Sequence, residues 1–270
     1  MPASIGHSAA KVGDAIYHWG GTSGKGGLNG LWRLEGVAEP SEAWRWGIVR
    51  QEACKGEPHP ARLGQALACV DGKLLLNGGY KYRSIGTAGA HKVAVAQTTL
   101  FDPKSQVWSP GPPAPEERAG HTLVTLGSHV VLYGGINLSL KARRGDVLVL
   151  DTLSMQWSAP RVAGAIPPPR SGHAAVALPG ERMLVFGGIG DSGELADAHI
   201  FDLRAGSWTP VQWEGAPPKG RYGAAMACDG GLHEAATVCL YGGSGSEGNA
   251  FLFGFASRRK PYDECLEILV

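Results

Sequence analysis

Five of the seven Gly-Gly doublets in this chain divide it into segments of nearly equal length, and they constrain its fold more than any other feature. They recur at intervals of 53 to 58 residues, at Gly20-Gly21, Gly78-Gly79, Gly134-Gly135, Gly187-Gly188 and Gly242-Gly243. A fixed period near 50 residues is the mark of a repeat architecture. Each doublet follows a short run rich in branched and aromatic side chains, for example residues 130–133, which predicts a buried strand. The chain is therefore predicted to form a ring or stack of small sheets.

Further elements recur at fixed places in each repeat. A first strand begins about 15 residues before the doublet, and its clearest copies are Arg118-Ala119-Gly120-His121 and Arg170-Ser171-Gly172-His173. A third strand ends in Asp, and a Trp follows six positions later, as in Asp102/Trp108, Asp151/Trp157 and Asp202/Trp208. Asp can accept hydrogen bonds from the backbone just downstream, so each Asp predicts a tight turn into a fourth strand. Four strands joined by turns make one blade of a β-propeller.

This pattern resembles the kelch-repeat family over almost the entire chain. The resemblance implies an all-β fold, a β-propeller of four-stranded antiparallel kelch blades, in which five repeats are visible and the last blade is incomplete. We expect a single domain, residues 1–270, with repeats at approximately 4–60, 61–117, 118–169, 170–219 and 220–270. In kelch blades the doublet ends the second strand, where Gly tolerates a positive φ and the close approach of a neighbouring backbone.

The closure of the ring is open at the sequence level. Residues 262–270 align with the third strand of the other repeats, and no fourth strand with a Trp follows them. The five residues before Gly6 are too few to form an outer strand and also to span the distance from it to the inner strand. Either an upstream segment supplies the missing strand, which we favour, or the last blade has three strands and an exposed edge that invites partners.

Composition limits the classes of function. The formal net charge is +1, so no strong global field favours nucleic acid or a membrane surface. No apolar run is long enough for a membrane span, and residues 1–19 lack the pattern of a signal peptide. The five cysteines form no Cys-x-x-Cys pair, which indicates free thiols. We expect a cytoplasmic or nuclear protein.

Two sets of recurring polar residues lie at the start of the first strands. His7, His121 and His173 occupy equivalent positions, which raises a metal site, but other blades carry Gln65 and Ala224 there. We therefore favour packing and predict no metal and no cofactor. A second set recurs just ahead of the same strands, at Arg62, Arg118, Arg170 and Arg221. These arginines either tie the blades together through carbonyls and the recurring Asp, or form an anion-binding ring at the channel mouth.

The segments after the doublets are predicted to emerge as loops on one face of the propeller. They carry ten basic residues: Lys25, Lys81, Arg83, Lys92, Lys141, Arg143, Arg144, Arg258, Arg259 and Lys260. Only three acidic residues stand against them: Asp191, Glu194 and Glu247. Tyr and Arg are typical of interface hot spots. The predicted partner-binding residues are Tyr80, Lys81, Tyr82, Arg83, Lys141, Arg143, Arg144, Arg258, Arg259 and Lys260.

The function predicted from these observations is a protein-interaction scaffold, not an enzyme, that binds an acidic peptide or protein surface through its basic loops. The alternative is a small-molecule hydrolase, lyase or epimerase that uses the Arg set and His121 or His173 at the channel mouth. The kelch resemblance implies roles with ubiquitin ligases, small GTPases or the cytoskeleton, without choosing among them. Nucleic-acid binding is not expected, because the basic loops lack a stacking platform.

Overall fold

The structure is a computed structural model that describes residues 5–22, 28–36, 43–58, 60–84, 90–229, 236–245, 260–261 and 265–269. Within these ranges the regular structure is strand, apart from one 3-10 turn at Gln51–Ala53. No helix of the described residues has the length and apolar character needed to cross a membrane.

The strands form five principal antiparallel sheets in chain order, which are the blades of a β-propeller. Blade 1 contains β1 (Ile5–Val12), β2 (Ala15–Thr22), β3 (Leu31–Glu35) and β4 (Arg45–Val49). Blade 2 contains β5 (Leu63–Val70), β6 (Lys73–Ser84), β7 (Ala90–Ala94), β8 (Thr98–Asp102) and β9 (Val107–Pro110). In blade 2 the order is β5-β6-β8-β9, and β7 pairs with the second half of β6.

Blades 3 and 4 repeat this order and add small hairpins. Blade 3 contains β10 (Thr122–Leu126), β11 (His129–Tyr133), β14 (Val147–Asp151) and β15 (Gln156–Ser158), with a hairpin of β12 (Ile136–Asn137) and β13 (Ala142–Arg143). Blade 4 contains β17 (Ala174–Leu178), β18 (Arg182–Phe186), β21 (Ala198–Asp202) and β22 (Ser207–Pro210). Its hairpin is β19 (Ile189–Gly190) and β20 (Gly193–Glu194), and β16 (Ala163–Gly164) lies parallel to β22.

Blade 5 contains β23 (Tyr222–Cys228), β24 (Thr237–Gly245), β25 (Lys260–Pro261) and β26 (Cys265–Leu269). Strand β26 pairs antiparallel with β24, which places it in the third-strand position of the other blades. This confirms the prediction that the end of the chain forms a third strand like those of the other repeats.

Neighbouring blades are joined by a ladder of backbone hydrogen bonds between glycines of the first strands. Gly120 N donates to Gly64 O at 2.7 Å, Gly172 N to Gly120 O at 2.7 Å, and Gly223 N to Gly172 O at 2.8 Å. A second bond runs in the opposite direction, from the amide of the second Gly of a doublet to the Arg carbonyl of the next blade. It is 2.7 Å from Gly79 N to Arg118 O and 2.8 Å from Gly135 N to Arg170 O. The seam between blades is therefore made largely of backbone atoms.

The hydrophobic core lies between the blades. Trp108 and Trp208 are each 2 % exposed, and each packs with a Phe of its own third strand against the preceding blade. Burial of a large apolar side chain stabilises a fold by about 1.5–3 kcal/mol. The residue just before a doublet faces the opposite way, so Trp19 and Tyr133 pack on the following blade. Each blade thus contributes one apolar face to each neighbour.

The predicted turns are confirmed, and a fourth tryptophan joins the set. Asp151 Oδ1 accepts hydrogen bonds from the backbone of Leu153 and Ser154, and Asp102 makes the same turn. In blade 1, Leu34 pairs with Trp46 as Phe101 pairs with Trp108. Trp46 does not fit the six-residue spacing by which the other tryptophans were recognised, because the connection from β3 to β4 is longer in this blade.

Two connections between blades also cover outer edges, which the sequence did not indicate. Lys55 bridges Val107 in parallel, and β16 runs parallel to β22. Each connection then has a Gly at φ of +81°, Gly56 or Gly164, lying against the carbonyl of the blade's tryptophan. A Cβ at Gly164 would lie 2.2 Å from Trp208 O, so this close approach requires glycine.

Candidate protein-binding face

Three hairpins after the doublets form one surface, which we call the hairpin face: β6–β7, β12–β13 and β19–β20. The sequence predicted loops here, but the backbone continues into paired strands. Tyr80 from β6 and Ile136 from β12 share a small apolar cluster with Ala119, which joins the hairpins of blades 2 and 3. Arg143 Nη1 donates to Asp191 Oδ1 at 2.8 Å, which joins those of blades 3 and 4. The face is therefore continuous across three blades.

The predicted basic residues are held in different ways on this face. Lys81 and Lys141 are exposed. Arg144 forms an ion pair with Glu116, and the Arg143 side chain, which pairs with Asp191, is only 9 % exposed. The ammonium of Lys92 lies 5.0 Å from the centre of the Tyr80 ring, and burial lowers the pKa of Lys92. Of these cations, the two exposed lysines are the most accessible to a ligand.

The predicted aromatic contact is changed by the structure. Tyr80 is 6 % exposed, so it supports Lys92 and the apolar cluster from below and does not offer its ring to a partner. Tyr82 and Arg83 lie in the half of β6 that pairs with β7. Lys260 lies in β25, opposite Gly245 of β24. Lys25, Arg258 and Arg259 lie outside the described residues.

Acidic residues from neighbouring segments make this face less positive than the number of basic residues in the predicted loops suggested. Glu116 accepts hydrogen bonds from Arg144, Arg118 and Asn137. The hydrogen bond from Arg144 is the main cause that holds the pKa of Glu116 below its usual value. Asp146 also lies here, bonded to Arg118. Counting charges only in the segments after the doublets missed these two carboxylates, since they come from before β10 and before β14.

The recurring arginines stabilise the blades, which decides between the two interpretations of this set. All four are at most 2 % exposed. Each donates from Nη1 to the carbonyl of the first Gly of its own doublet, at 3.0–3.3 Å. Arg118 and Arg170 also form bidentate pairs with Asp146 and Asp197, at 2.6–2.8 Å. In blade 2 the partner of Arg62 is the neutral Gln97, and burial lowers the pKa of Arg62 to about 10.

The recurring histidines are packing residues as well. His121 and His173 lie over the first Gly of the preceding doublet, and Gln65 fills the same place in blade 2. Burial, followed by the charge of the adjacent arginine, lowers the pKa of each His to about 3. No cluster of three metal-binding side chains occurs in the described part of the chain. These buried arginines and histidines are therefore not accessible to a substrate at the channel mouth, where the enzyme alternative placed them.

Comparison with known proteins agrees with this architecture. The KLHDC2/KLHL20/DRC7 Kelch-repeats domain matches residues 110–253. Acyl-CoA-binding domain-containing protein 4 of Arabidopsis thaliana is 29% identical over 80% of this chain and 32% of its own length. Human Kelch domain-containing protein 3 is 29% identical over 61% of this chain and 45% of its own. The flagellar outer-arm dynein alpha chain of Chlamydomonas reinhardtii is 36% identical over 51% of this chain and 3% of its own.

The repeated blades and their glycine seams define a β-propeller, in which contacts join the hairpins of blades 2, 3 and 4. The family match covers more than half of the chain, so this chain belongs to the kelch-repeat family. It spans less than half the length of these curated relatives.

Proposed function

We propose that this kelch propeller binds an acidic segment of a protein partner through the hairpin face. The observation that carries the proposal is that Lys81 and Lys141 are exposed on neighbouring hairpins that the Tyr80–Ile136 cluster holds together. Neither lysine takes part in a salt bridge within the described part of the chain. A rigid sheet scaffold that displays recognition groups on its connections is a common arrangement for binding proteins.

The ion pairs on the face are compatible with this role. Asp191, the partner of Arg143, has a side chain that is 82 % exposed. Because Asp191 stays largely hydrated in this pair, a ligand carboxylate can take its place and keep a counter-charge beside the nearly buried Arg143. Arg143 would then contribute to binding from a position already fixed by packing. The partner is therefore proposed to present several carboxylates spaced along an extended segment.

The test compares two double variants with the same change in charge. Lys81→Glu/Lys141→Glu reverses the hairpin face, and Lys73→Glu/Lys104→Glu reverses two exposed lysines at the opposite ends of the strands. The probe is a fluorescent peptide of about 15 residues, rich in Asp and Glu, with a charge-neutral peptide of the same length as a control. Binding is measured by fluorescence anisotropy at about 50 and 300 mM salt, because electrostatic contacts are screened over this range.

We expect the hairpin-face variant to bind the acidic peptide at least about tenfold more weakly, a loss of about 1.4 kcal/mol. The opposite-end variant should stay within about twofold of the parent. Equal losses in both variants would show a general charge effect and would contradict the proposal. Affinity capture from lysate with the same pair of variants then identifies the natural partner.

A further inference from the structure

The outer strands of blades 2 and 4 are each covered by the connection that enters the blade, and the two covers share one geometry. In blade 2, Lys55 N donates to Gln106 O at 3.0 Å, and Trp108 N donates to Lys55 O at 2.7 Å. In blade 4, Ala163 N donates to Gly206 O at 2.9 Å. Both connections run parallel to the outer strand that they cover. We call a covering segment of this kind a strap.

The side chains of the two straps also follow one pattern. The residue before the paired one is apolar and packs in the cluster that contains the tryptophan of the outer strand; it is Cys54 in blade 2 and Val162 in blade 4. The residue after the paired one is a glycine, and a Cβ at Gly56 or Gly164 would lie 2.1 or 2.2 Å from the carbonyl of that tryptophan. Each strap therefore has the sequence apolar residue, any residue, glycine, as in Cys54-Lys55-Gly56 and Val162-Ala163-Gly164.

Blade 3 has no strap in the described part of the chain, where its outer strand β15 pairs only with β14. The connection into blade 3, measured from the tryptophan of one blade to the arginine of the next, is shorter than the other two. Three prolines in residues 111–117 have no amide to donate. The connection stays on blade 2, because Gly111 N donates to Thr98 O and Ala114 N donates to Ala96 O, both at 3.0 Å.

The edge of β15 nevertheless has the backbone geometry that the straps bind. Met155 has a φ of +56°, close to the +55° of Gln106 and the +61° of Gly206, whose carbonyls accept the strap amides. Strand β15 pairs with β14 in the register in which β9 pairs with β8. The Trp157 amide therefore faces the open edge, as the Trp108 amide faces its strap. Blade 3 thus presents the same donors and acceptors as the two covered blades.

An apolar side chain also has a place beside this edge. Trp108 and Trp208, in the two blades with straps, are each 2 % exposed, whereas Trp157 is partly exposed. Leu153, in the turn that leads into β15, is 82 % exposed. The other two residues of β15 carry no charge. A segment at this edge would therefore be selected by its backbone and its apolar side chain, and not by its charge.

We propose that an extended segment of a partner protein binds parallel to β15 and supplies the strap that blade 3 lacks. Its middle residue donates to the Met155 carbonyl and accepts from the Trp157 amide, and a glycine follows against the Trp157 carbonyl. The segment accordingly carries the sequence apolar residue, any residue, glycine. Addition of a strand to a sheet edge is a common mode of peptide recognition, in which backbone bonds give affinity and side-chain contacts give specificity. The site uses neither Lys81 nor Lys141, so it is independent of the function proposed for the hairpin face.

The probe for this site is an acetylated and amidated peptide with the sequence of the blade 4 strap, residues 160–166, which is Pro-Arg-Val-Ala-Gly-Ala-Ile. Two forms of the peptide differ only in the position of one backbone methyl group. In the strap, Ala163 N and Ala165 N bond to the outer strand, and Gly164 N lies between them. A methyl group on the Ala163 amide therefore removes a donor, and one on the Gly164 amide is the matched control. A third form carries alanine in place of Gly164.

Binding is followed by two-dimensional NMR of the whole chain, at peptide concentrations up to about 2 mM, because three backbone hydrogen bonds support only weak binding. We expect the unmodified peptide to shift the Trp157 amide signal and to slow its hydrogen exchange, without change at Trp108 and Trp208. The forms with a methylated Ala163 amide or with alanine for Gly164 should bind at least about tenfold more weakly. The form with a methylated Gly164 amide should stay within about threefold of the unmodified peptide.

Three results would overturn the proposal. The first is the absence of any change at the Trp157 amide, and the second is equal binding of the two methylated peptides. The third is protection of the Trp157 amide without peptide that increases with protein concentration, since a second copy of the chain would then cover the edge.

Discussion

At the scale of single residues, glycine meets two requirements at the doublets, because the backbone there has a positive φ and the next blade lies too close for a Cβ. Gly134 has a φ of +64°, which L-residues rarely adopt, and a Cβ there would lie 2.8 Å from both Arg170 O and His173 Cε1. The second atom belongs to a side chain, but the first belongs to the backbone of the next blade. The doublet is therefore required both by its own conformation and by the closeness of the seam.

Gly134→Ala should accordingly destabilise the protein more than a glycine replacement that meets only the conformational cost. The control is Gly13→Ala, because Gly13 has a φ of +57° and nothing lies within 4 Å of its Cβ position. A positive φ costs an L-residue about 1–2 kcal/mol, and overpacking adds about 1–3 kcal/mol. Urea unfolding of the two variants should therefore differ by at least about 1 kcal/mol. Equal free energies of unfolding would mean that the neighbouring blade can move away from Gly134 without loss of stability.

Buried histidine at the seam makes stability depend on pH. His121 has a pKa of about 3 in the folded protein, so it stays neutral where an unfolded chain would bind a proton, below about pH 6.5. The depressed pKa means that the stability is present above pH 6.5 and is lost as the pH falls toward 3. The control for this effect is His121→Gln, because Gln65 already occupies the equivalent position in blade 2. Between pH 7 and pH 5, the free energy of unfolding of this variant should fall by about 2 kcal/mol less than that of the parent.

The reverse substitution supplies the control for this pH effect. Gln65→His places a third buried imidazole at an equivalent seam, and its free energy of unfolding should fall more steeply than that of the parent over the same pH range. Both variants are measured by urea unfolding at several pH values. Parallel pH profiles for all three proteins would show that acid destabilisation comes from other groups.

At the scale of strands, blades 3 and 4 are each tied internally by an arginine before the first strand and an Asp before the third. In blade 4, Arg170 is fully buried, and Asp197 binds both it and His199. Burial opposes ionisation of Asp197, but the hydrogen bonds from His199 and Arg170 outweigh it and hold the pKa of Asp197 well below its usual range. This pair fixes the start of β21 against the doublet.

Asp197→Ala should cost about 2–3 kcal/mol, because it leaves a buried guanidinium without its counter-charge. We place the loss at the low end for such pairs since the Asp197 side chain is 36 % exposed. The control is Glu35→Ala, which removes an ion pair of 2.8 Å to Arg33 in which the two side chains are 46 % and 52 % exposed. Thermal and urea unfolding should show a loss below about 1 kcal/mol for the control. A similar loss in both variants would contradict the structural importance assigned to the Arg170–Asp197 pair.

The sequence predicted the blade pattern well because its signals are local. The doublets and the turn after Asp151 need only neighbouring residues to be recognised, and the structure contains both. The charge of the hairpin face depends instead on contacts over long separations, such as Glu116 with Arg144. The burial of Tyr80 under Lys92 depends on the pairing of β6 with β7, which no local sequence pattern predicted. Local geometry was therefore predictable, and the accessibility of the candidate site was not.

At the scale of the whole molecule, the blades differ in how many neighbours they have. Blade 3 packs on both sides, and Val131 and Leu150 in its middle strands are fully buried. Strands β1 and β23 lie in blades that have a described neighbour on one side only. In repeat architectures each unit is stabilised mainly by its nearest neighbours, so the end blades should open more often.

Hydrogen exchange followed by mass spectrometry measures this difference. Peptides from β11 and β14 should exchange at least about tenfold more slowly than peptides from β1 and β23, at a concentration where the chain is monomeric. Uniform exchange across the blades at low concentration would mean that the five blades unfold as one unit.

The glycine ladder also bears on how proteins of this kind change over evolutionary time. Because the seam consists mainly of amide and carbonyl groups, it recognises a backbone shape and is largely indifferent to the side chains that a blade displays elsewhere. A duplicated blade brings matching backbone bonds on each side, so its insertion or loss leaves only the apolar side chains between blades to adjust. The hairpin of each blade is then free to diverge, which is how the hairpins after Gly79 and Gly188 can differ so widely in length and charge while the joints beneath them stay the same.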